Sequence, residues 1–307
     1  MGKIAVVFPG QGAQYSGMGK DLYENVASSK DIFDRLEKLS PGIIDLCFNG
    51  SEEALKETRN TQPAIFAVEA AAYTALKEAG IRADMTAGFS LGEITALYAS
   101  GAAELETAFM LVKNRGEYMH QYAERNPANM AAVVKLAREE VERICDKTED
   151  CWPVNYNSPG QITVAYKGDF ASLSDEVKSA GGKAIPLKVG GGFHSPLMNE
   201  ASERFRLLLD NVKLNPPAIP LYSDVTGLPY PDDIKDLLAR QINSPVQWES
   251  LIKNMVEAGA NTFIEAGPGN VLSGLIKRIA ADAAIYQAGD YKLLTELKEN
   301  LSGEHQC

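Results

Sequence analysis

Cysteine is scarce. Only Cys47, Cys145, Cys151 and Cys307 occur in 307 residues, and no two of them form a C-x-x-C pair. A disulfide framework and the common thiolate metal and redox motifs are thereby excluded. Histidine is scarcer still, with His120, His194 and His305 alone. Long apolar runs are missing as well. The stretch at 4–8 is stopped by Pro9, too short for the core of a signal peptide or for a membrane span. Val6 stands where an N-myristoylation signal requires Ser or Thr. Positive charge is in deficit, with 30 Lys and Arg against 41 Asp and Glu, for a net charge of −11. Such a surface repels phosphate backbones, so nucleic-acid binding is not expected. These absences predict a cytoplasmic, reduced protein without membrane attachment. An acidic small substrate would need a local cation inside a pocket.

What is present is ordinary for a globular chain, 45% hydrophobic and 23% charged, and the length suggests about two domains. The run at 4–8, closed by Pro9-Gly10, predicts a buried strand. Residues 63–79, rich in Ala, Leu and Glu, open with Pro63 and end at Gly80, as a helix should. A strand at 83–89, a helix at 91–100 and a long helix at 104–125 follow. Strands alternating with helices predict an α/β fold with a mainly parallel sheet. The pattern then changes. Strand 130–136, helix 138–147, strand 154–156, a turn at 157–160, strand 161–166, helix 170–180 and strand 183–187 give the order βαββαβ of a ferredoxin-like unit. Residues 127–189 are therefore expected to form an inserted small domain, bounded by Asn126-Pro127 and Gly190-Gly191-Gly192, within a larger unit of 1–126 and 190–307. The larger unit resumes with a helix at 199–209, a strand at 221–223, helices at 234–241 and 246–258, and a strand at 262–265. A polar tail is expected at 300–307. There are no internal repeats.

The strongest chemical signal is Gly88-Phe89-Ser90-Leu91-Gly92, a G-x-S-x-G pattern between a predicted strand and helix. Glycines without a Cβ let strand and helix approach. The turn puts Ser90 at a helix N-terminus with the Leu91 N–H aimed at a reacting oxygen. The plainer alternative is a small-residue turn that contacts nothing. A serine nucleophile needs a base. His305 lies in the tail and His120 inside the long helix, whereas His194 follows three glycines at the second domain boundary, where it can meet Ser90 across a cleft or be a surface residue near a hinge. The loop Gly10-Gln11-Gly12-Ala13-Gln14 follows the first strand. Tyr15 replaces the third glycine of a dinucleotide fingerprint and no G-K-[ST] follows, so a second oxyanion donor is a better use of this loop than a phosphate cradle. Arg115, on the long helix, can hold a carboxylate through two parallel hydrogen bonds or sit solvated at the surface.

Taken together, these motifs resemble the malonyl-CoA:acyl-carrier-protein transacylase family over nearly the whole chain. The resemblance runs through Phe8 to Gln14, Thr61-Gln62-Pro63-Ala64, Gly88 to Glu93, Asn155 to Gln161, Phe193 to Met198, Ser244 to Trp248 and Glu265 to Gly269. It implies an α/β-hydrolase-like large domain with a ferredoxin-like insertion and an active site between them. By the same resemblance Ser90 is the acylated nucleophile and His194 its base, while Gln11 and Leu91 supply the oxyanion N–H groups. Arg115 pairs with the malonyl carboxylate, Phe193, Gln62 and Asn157 contact substrate, and the carbonyl of Gln241 orients the histidine. No permanently bound cofactor and no metal are implied. The CoA thioester is the substrate, and a phosphopantetheinylated acyl carrier protein is the partner.

One departure is Phe89, where the family commonly has His; it bears on the pocket wall and substrate choice. Phe193 fits members that take unbranched malonyl, a discrimination worth only ~1–3 kcal/mol against an added methyl. Three alternatives remain: a stand-alone malonyl acyltransferase serving a polyketide synthase, a serine thioesterase or acyl hydrolase, and a nucleotide-binding module on the Gly10 loop. Docking of an acidic carrier on an acidic enzyme needs a basic patch, for which Lys183, Lys188, Lys277 and Arg278 are candidates.

Overall fold

A computed structural model describes residues 2–231 and 233–303. Two sheets organise the chain. The larger contains strands β1 (Lys3–Phe8), β2 (Met85–Gly88), β7 (Leu221–Tyr222), β8 (Ala260–Glu265) and β9 (Ala284–Gln287) in the order β7-β2-β1-β8-β9. Every pairing in it is parallel. The smaller contains β3 (Asn129–Val134), β4 (Cys151–Ser158), β5 (Gln161–Tyr166) and β6 (Lys183–Pro186) in the order β4-β5-β3-β6, with every pairing antiparallel. Helices Arg138–Lys147 and Phe170–Ser179 complete the expected βαββαβ order. The protein is thus α/β, with a parallel sheet and a separate small antiparallel one.

Central strands β1 and β2 are short and apolar because both faces are covered. Their register pairs Phe8 with Gly88, so the loops leaving the two carboxyl ends stand side by side. Ligands of parallel α/β sheets sit outside these ends. Helix Thr58–Glu78 is buried nearly all round, and it packs on helix Leu105–Arg125. The two lie close at Gly116, where a Cβ would lie 3.1 Å from the Thr58 carbonyl oxygen. That approach brings the neighbouring Arg115 against Gln62.

Several expectations need correction. The helix expected to open at Pro63 begins at Thr58 and carries Pro63 inside it. Its first turn is set by Glu57, whose carbonyl accepts from the N–H groups of Asn60 and Thr61 and from the Thr61 hydroxyl. Asn157 and Ser158, expected in a turn, belong to β4, where irregular pairing with β5 extends the strand to Ser158. The expected tail is helical as far as Gly303, because helix Tyr291–Gly303 buries Leu294 and Leu297. The rest of that tail, with His305 and Cys307, lies outside the described residues. Helices Lys20–Asn25, Ala27–Leu39, Ile43–Asn49, Glu52–Lys56 and Val271–Ile279, together with β9, were not anticipated. Cys47, Cys145 and Cys151 are buried free thiols. No helix among the described residues is long and apolar enough to cross a membrane.

Candidate active site

Ser90 occupies the bend between β2 and helix Gly92–Ala99 with φ of 56°. This left-handed region is costly for a residue bearing a Cβ, and such strain concentrates at functional positions. The flanking glycines have steric reasons. A Cβ on Gly88 would lie 1.9 Å from the Gly92 carbonyl carbon, and one on Gly92 would lie 2.2 Å from the Phe8 carbonyl oxygen.

His194 reaches Ser90 from the glycine-flanked loop. Its Nε2 is 2.7 Å from Ser90 Oγ, and its Nδ1 is 2.8 Å from the main-chain carbonyl oxygen of Gln241. That carbonyl can only accept, so Nδ1 carries the hydrogen and Nε2 accepts from the serine hydroxyl. Gln241 lies in a 3₁₀ turn, Gln241–Asn243, at the end of helix Lys235–Arg240, where carbonyls are free of intrahelical partners. Burial, and then the nearby Arg115 charge, hold His194 down to about 4, so at neutral pH the imidazole is an uncharged acceptor.

Arg115 is fully buried and lies on the same hydroxyl. Its Nη2 donates to Ser90 Oγ at 3.1 Å and to Gln241 Oε1 at 2.5 Å. Its Nε donates to Gln241 Oε1 at 3.1 Å, and its Nη1 donates to Gln62 Oε1 at 2.7 Å. Desolvation lowers its pKa to about 10, leaving it charged at neutral pH. Gln62 continues the chain of contacts by donating to the Met119 sulfur at 3.3 Å. Main-chain N–H groups of Gln11 and Leu91 donate to no other group among the described residues.

These groups open onto a cavity of about 100 Å³ that touches Gln11, Gln62, Ser90, Leu91, Phe193 and His194. Its other walls are Phe89, Met119, Leu187 and Val189, with Met130 and Asn155 from the small sheet. Eight of the nine residues named from sequence gather around this space: seven of these line it or donate into it, and Gln241 stands directly behind. The exception is Asn157, which is buried on β4, donates to Thr163 Oγ1 at 3.0 Å, and is not part of the cavity wall; Asn155, two residues earlier, is. Phe89 packs edge-on against Trp248, with centroids 5.4 Å apart. The four candidate docking cations are exposed, with Arg278 engaged by Gln161 and Lys277 by the Ala281 carbonyl.

Two residues behind the site escaped sequence reasoning. Asp224 Oδ2 accepts from the Ser90 N–H at 2.8 Å, and the Asp224 N–H donates to Glu93 Oε1 at 3.0 Å. Glu93 entered the sequence reading only as the end of the Gly88 to Glu93 match, with no role assigned to it. Asp224 follows β7, and its relevance depends on β7 lying beside β2.

A strained serine, a neutral imidazole oriented by a carbonyl, two free N–H groups and a buried cation define a site for acyl transfer to and from a hydroxyl. Residues 5–306 match the acyl transferase domain family, and the chain belongs to it. Within that class the chain is a member of the malonyl CoA-acyl carrier protein transacylase family. It is 41% identical over 288 residues to the malonyl CoA-acyl carrier protein transacylase of Bacillus subtilis strain 168, an alignment covering 91% of both chains. The crystal structure of the transacylase from Clostridium perfringens superposes with a TM-score of 0.95 at 36% identity, covering 99% of this chain and 98% of that one. A malonyl-transacylase solved in complex with its type II PKS acyl-carrier protein gives 0.92 at 31% identity, covering 97% and 99%.

Proposed function

We propose that this chain transfers a malonyl group from malonyl-CoA to the phosphopantetheine thiol of an acyl carrier protein, through a malonyl-serine intermediate on Ser90. The observation that carries this reading is the convergence of His194 Nε2 and Arg115 Nη2 on one hydroxyl, at 2.7 and 3.1 Å.

In the first half-reaction Ser90 Oγ attacks the thioester carbonyl while His194 Nε2 takes its proton. The tetrahedral oxyanion is received by the N–H groups of Gln11 and Leu91. The C–S bond breaks, and the CoA sulfur leaves with the proton returned by His194. In the second half the carrier thiol gives its proton to His194 and attacks the acyl-serine, and Ser90 recovers a proton as it leaves. Arg115 holds the free carboxylate of the acyl group, which fixes the carbonyl against the nucleophile. Gln241 orients the histidine by its main chain and the guanidinium by its side chain. Phe193 narrows the cavity against an α-methyl group. Placing Asn157 in substrate binding now rests on the motif resemblance alone.

No resident cofactor or metal enters these steps; the CoA thioester comes as substrate. We read the parallel-sheet unit, residues 1–126 and 190–307, as α/β-hydrolase-like, with residues 127–189 a ferredoxin-like insertion and the protein cytoplasmic. Fatty acid synthesis is the main reading of the pathway. The likeness to a transacylase that partners a type II PKS carrier favours a second, delivery to a polyketide carrier. Intact-mass measurement of the protein with malonyl-CoA, followed by each class of holo carrier, tests both. An adduct that decays to free malonate without any carrier would instead indicate an acyl hydrolase, and one that no carrier discharges an abortive acyl-enzyme.

A further inference from the structure

Arg115 is fully buried, yet every hydrogen bond it donates ends on an uncharged acceptor: Gln241 Oε1, Gln62 Oε1 or Ser90 Oγ. A buried cation without a counter-charge is costly. The carboxyls that can supply one stand a residue further back. Gln241 bridges to them, its Nε2 lying 3.3 Å from Asp224 Oδ2. The same oxygen accepts from the Ser90 N–H, and the Asp224 N–H binds Glu93 Oε1. Both carboxyls are fully buried. Asp224 Oδ1, Glu93 Oε2 and the Tyr230 hydroxyl are buried without a hydrogen bond of good geometry among the described residues.

Burial, followed by the proximity of Glu93, raises the Asp224 carboxyl well above its usual range, and burial raises Glu93 to about 7. The charged or titratable groups facing the pair are Arg115, Tyr230 and, beyond the Gln241 main chain, His194. Adjacent carboxylates in a dry pocket do not both ionise beside a single cation. If neither ionised, the guanidinium would stand unbalanced.

We infer that Glu93 and Asp224 share one proton, so that the pair holds a single negative charge that balances Arg115 through Gln241 and moderates its attraction for the acyl carboxylate. This deepens the malonyl-transfer reading and rests on it. Asp224 is then a positioning residue for the elbow and, with Glu93, a determinant of selectivity for an anionic acyl group.

The test uses amide replacements. Either Glu93→Gln or Asp224→Asn leaves one carboxyl, which ionises, so the charge behind Arg115 is unaltered. The double variant removes it. The preference for malonyl-CoA over acetyl-CoA, as a ratio of kcat/KM, should stay within about twofold of wild type in each single variant. It should rise about tenfold in the double, chiefly through the KM for malonyl-CoA. A rise in each single variant would mean that both carboxyls are ionised. No rise in the double would mean that the pair carries no charge. Either result overturns the inference.

Should the double variant fail to fold, infrared difference spectra of wild type against each single variant decide. Each single variant should lose one protonated-carboxyl C=O band, identified by its shift in D₂O. Retention of that band in either one overturns the shared proton. Failure of the wild type to form a malonyl adduct would instead refute the underlying activity, and the infrared result would stand apart from it.

Discussion

The guanidinium of Arg115 lies 3.1 Å from the hydroxyl of Ser90, so the nucleophile and the cation meet before any substrate is bound. A malonyl carboxylate entering the cavity competes for donors now engaged with Ser90, Gln62 and Gln241. Acetyl has no such group. Arg115→Ala should therefore lower kcat/KM for malonyl-CoA by about a hundredfold or more, the usual loss on truncating one side of a buried charged contact. Acetyl transfer should fall by a much smaller factor. Equal losses would make the arginine a structural residue. Arg115→Lys keeps the charge but loses the fork, and should fall between the two in steady-state assays with both donors.

Ser90→Ala should abolish the malonyl adduct seen by intact mass, because no other hydroxyl in the cavity faces a neutral imidazole. Folding should be retained. The alanine keeps the Cβ at the same backbone angle and preserves the N–H that Asp224 accepts at 2.8 Å. A persistent adduct on the variant would mean that another residue carries the acyl group.

The depressed pKa of His194 has a signed consequence. The residue works as a base when neutral, and burial keeps it neutral down to about 4. The acid limb of kcat/KM, which reports the free enzyme, should fall near that value rather than near the ordinary histidine range. For stability the unfolded chain binds this proton first as pH falls. Stability should therefore rise with pH between about 4 and 6.5, by up to about 3 kcal/mol from this group, and be independent of it above. Chemical denaturation across that window, with His194→Ala as the flattened control, measures the effect.

Much of the site was legible because its signals are local. Two glycines around Ser90 state that backbone must approach backbone, and scarcity left His194 as the best-placed histidine. The loop after β1 was read as an oxyanion donor because it lacks the third glycine and the lysine of the phosphate-binding motifs, and Gln11 itself came from the resemblance. Asp224 and Glu93 were not legible as site residues, since their role comes from β7 lying beside β2, a pairing between segments far apart in sequence. Pro63 misled for the opposite reason. It is a sound local signal for a helix start, but the Glu57 carbonyl begins the turn earlier, and packing on the helix of Arg115 holds it. Three helices before residue 57, Lys20–Asn25, Ile43–Asn49 and Glu52–Lys56, are too short to show a period, whereas Ala27–Leu39 buries Ile32, Phe33 and Leu36 at helical spacing and was missed although that signal was there.

The glycines permit a test in which geometry decides both sign and size. At Gly88 a Cβ would overlap main-chain atoms of Gly92 and Glu93, at 1.9 and 2.0 Å, and neither can swing aside as a side-chain end can. Gly88→Ala must push β2 and helix Gly92–Ala99 apart, which also displaces Ser90 from His194. A loss of more than about 3 kcal/mol is expected, with any folded fraction failing to form the acyl adduct. Gly274 is the contrast. It lies within the exposed side of helix Val271–Ile279, and nothing stands within 4 Å of the Cβ position. There Gly274→Ala should stabilise by about 0.5–1 kcal/mol, through helix propensity and a less disordered unfolded chain, and leave acylation unchanged. Thermal unfolding of the two variants side by side is the measurement. A Gly88→Ala protein as stable as wild type would show that strand and elbow have slack that the backbone distances deny.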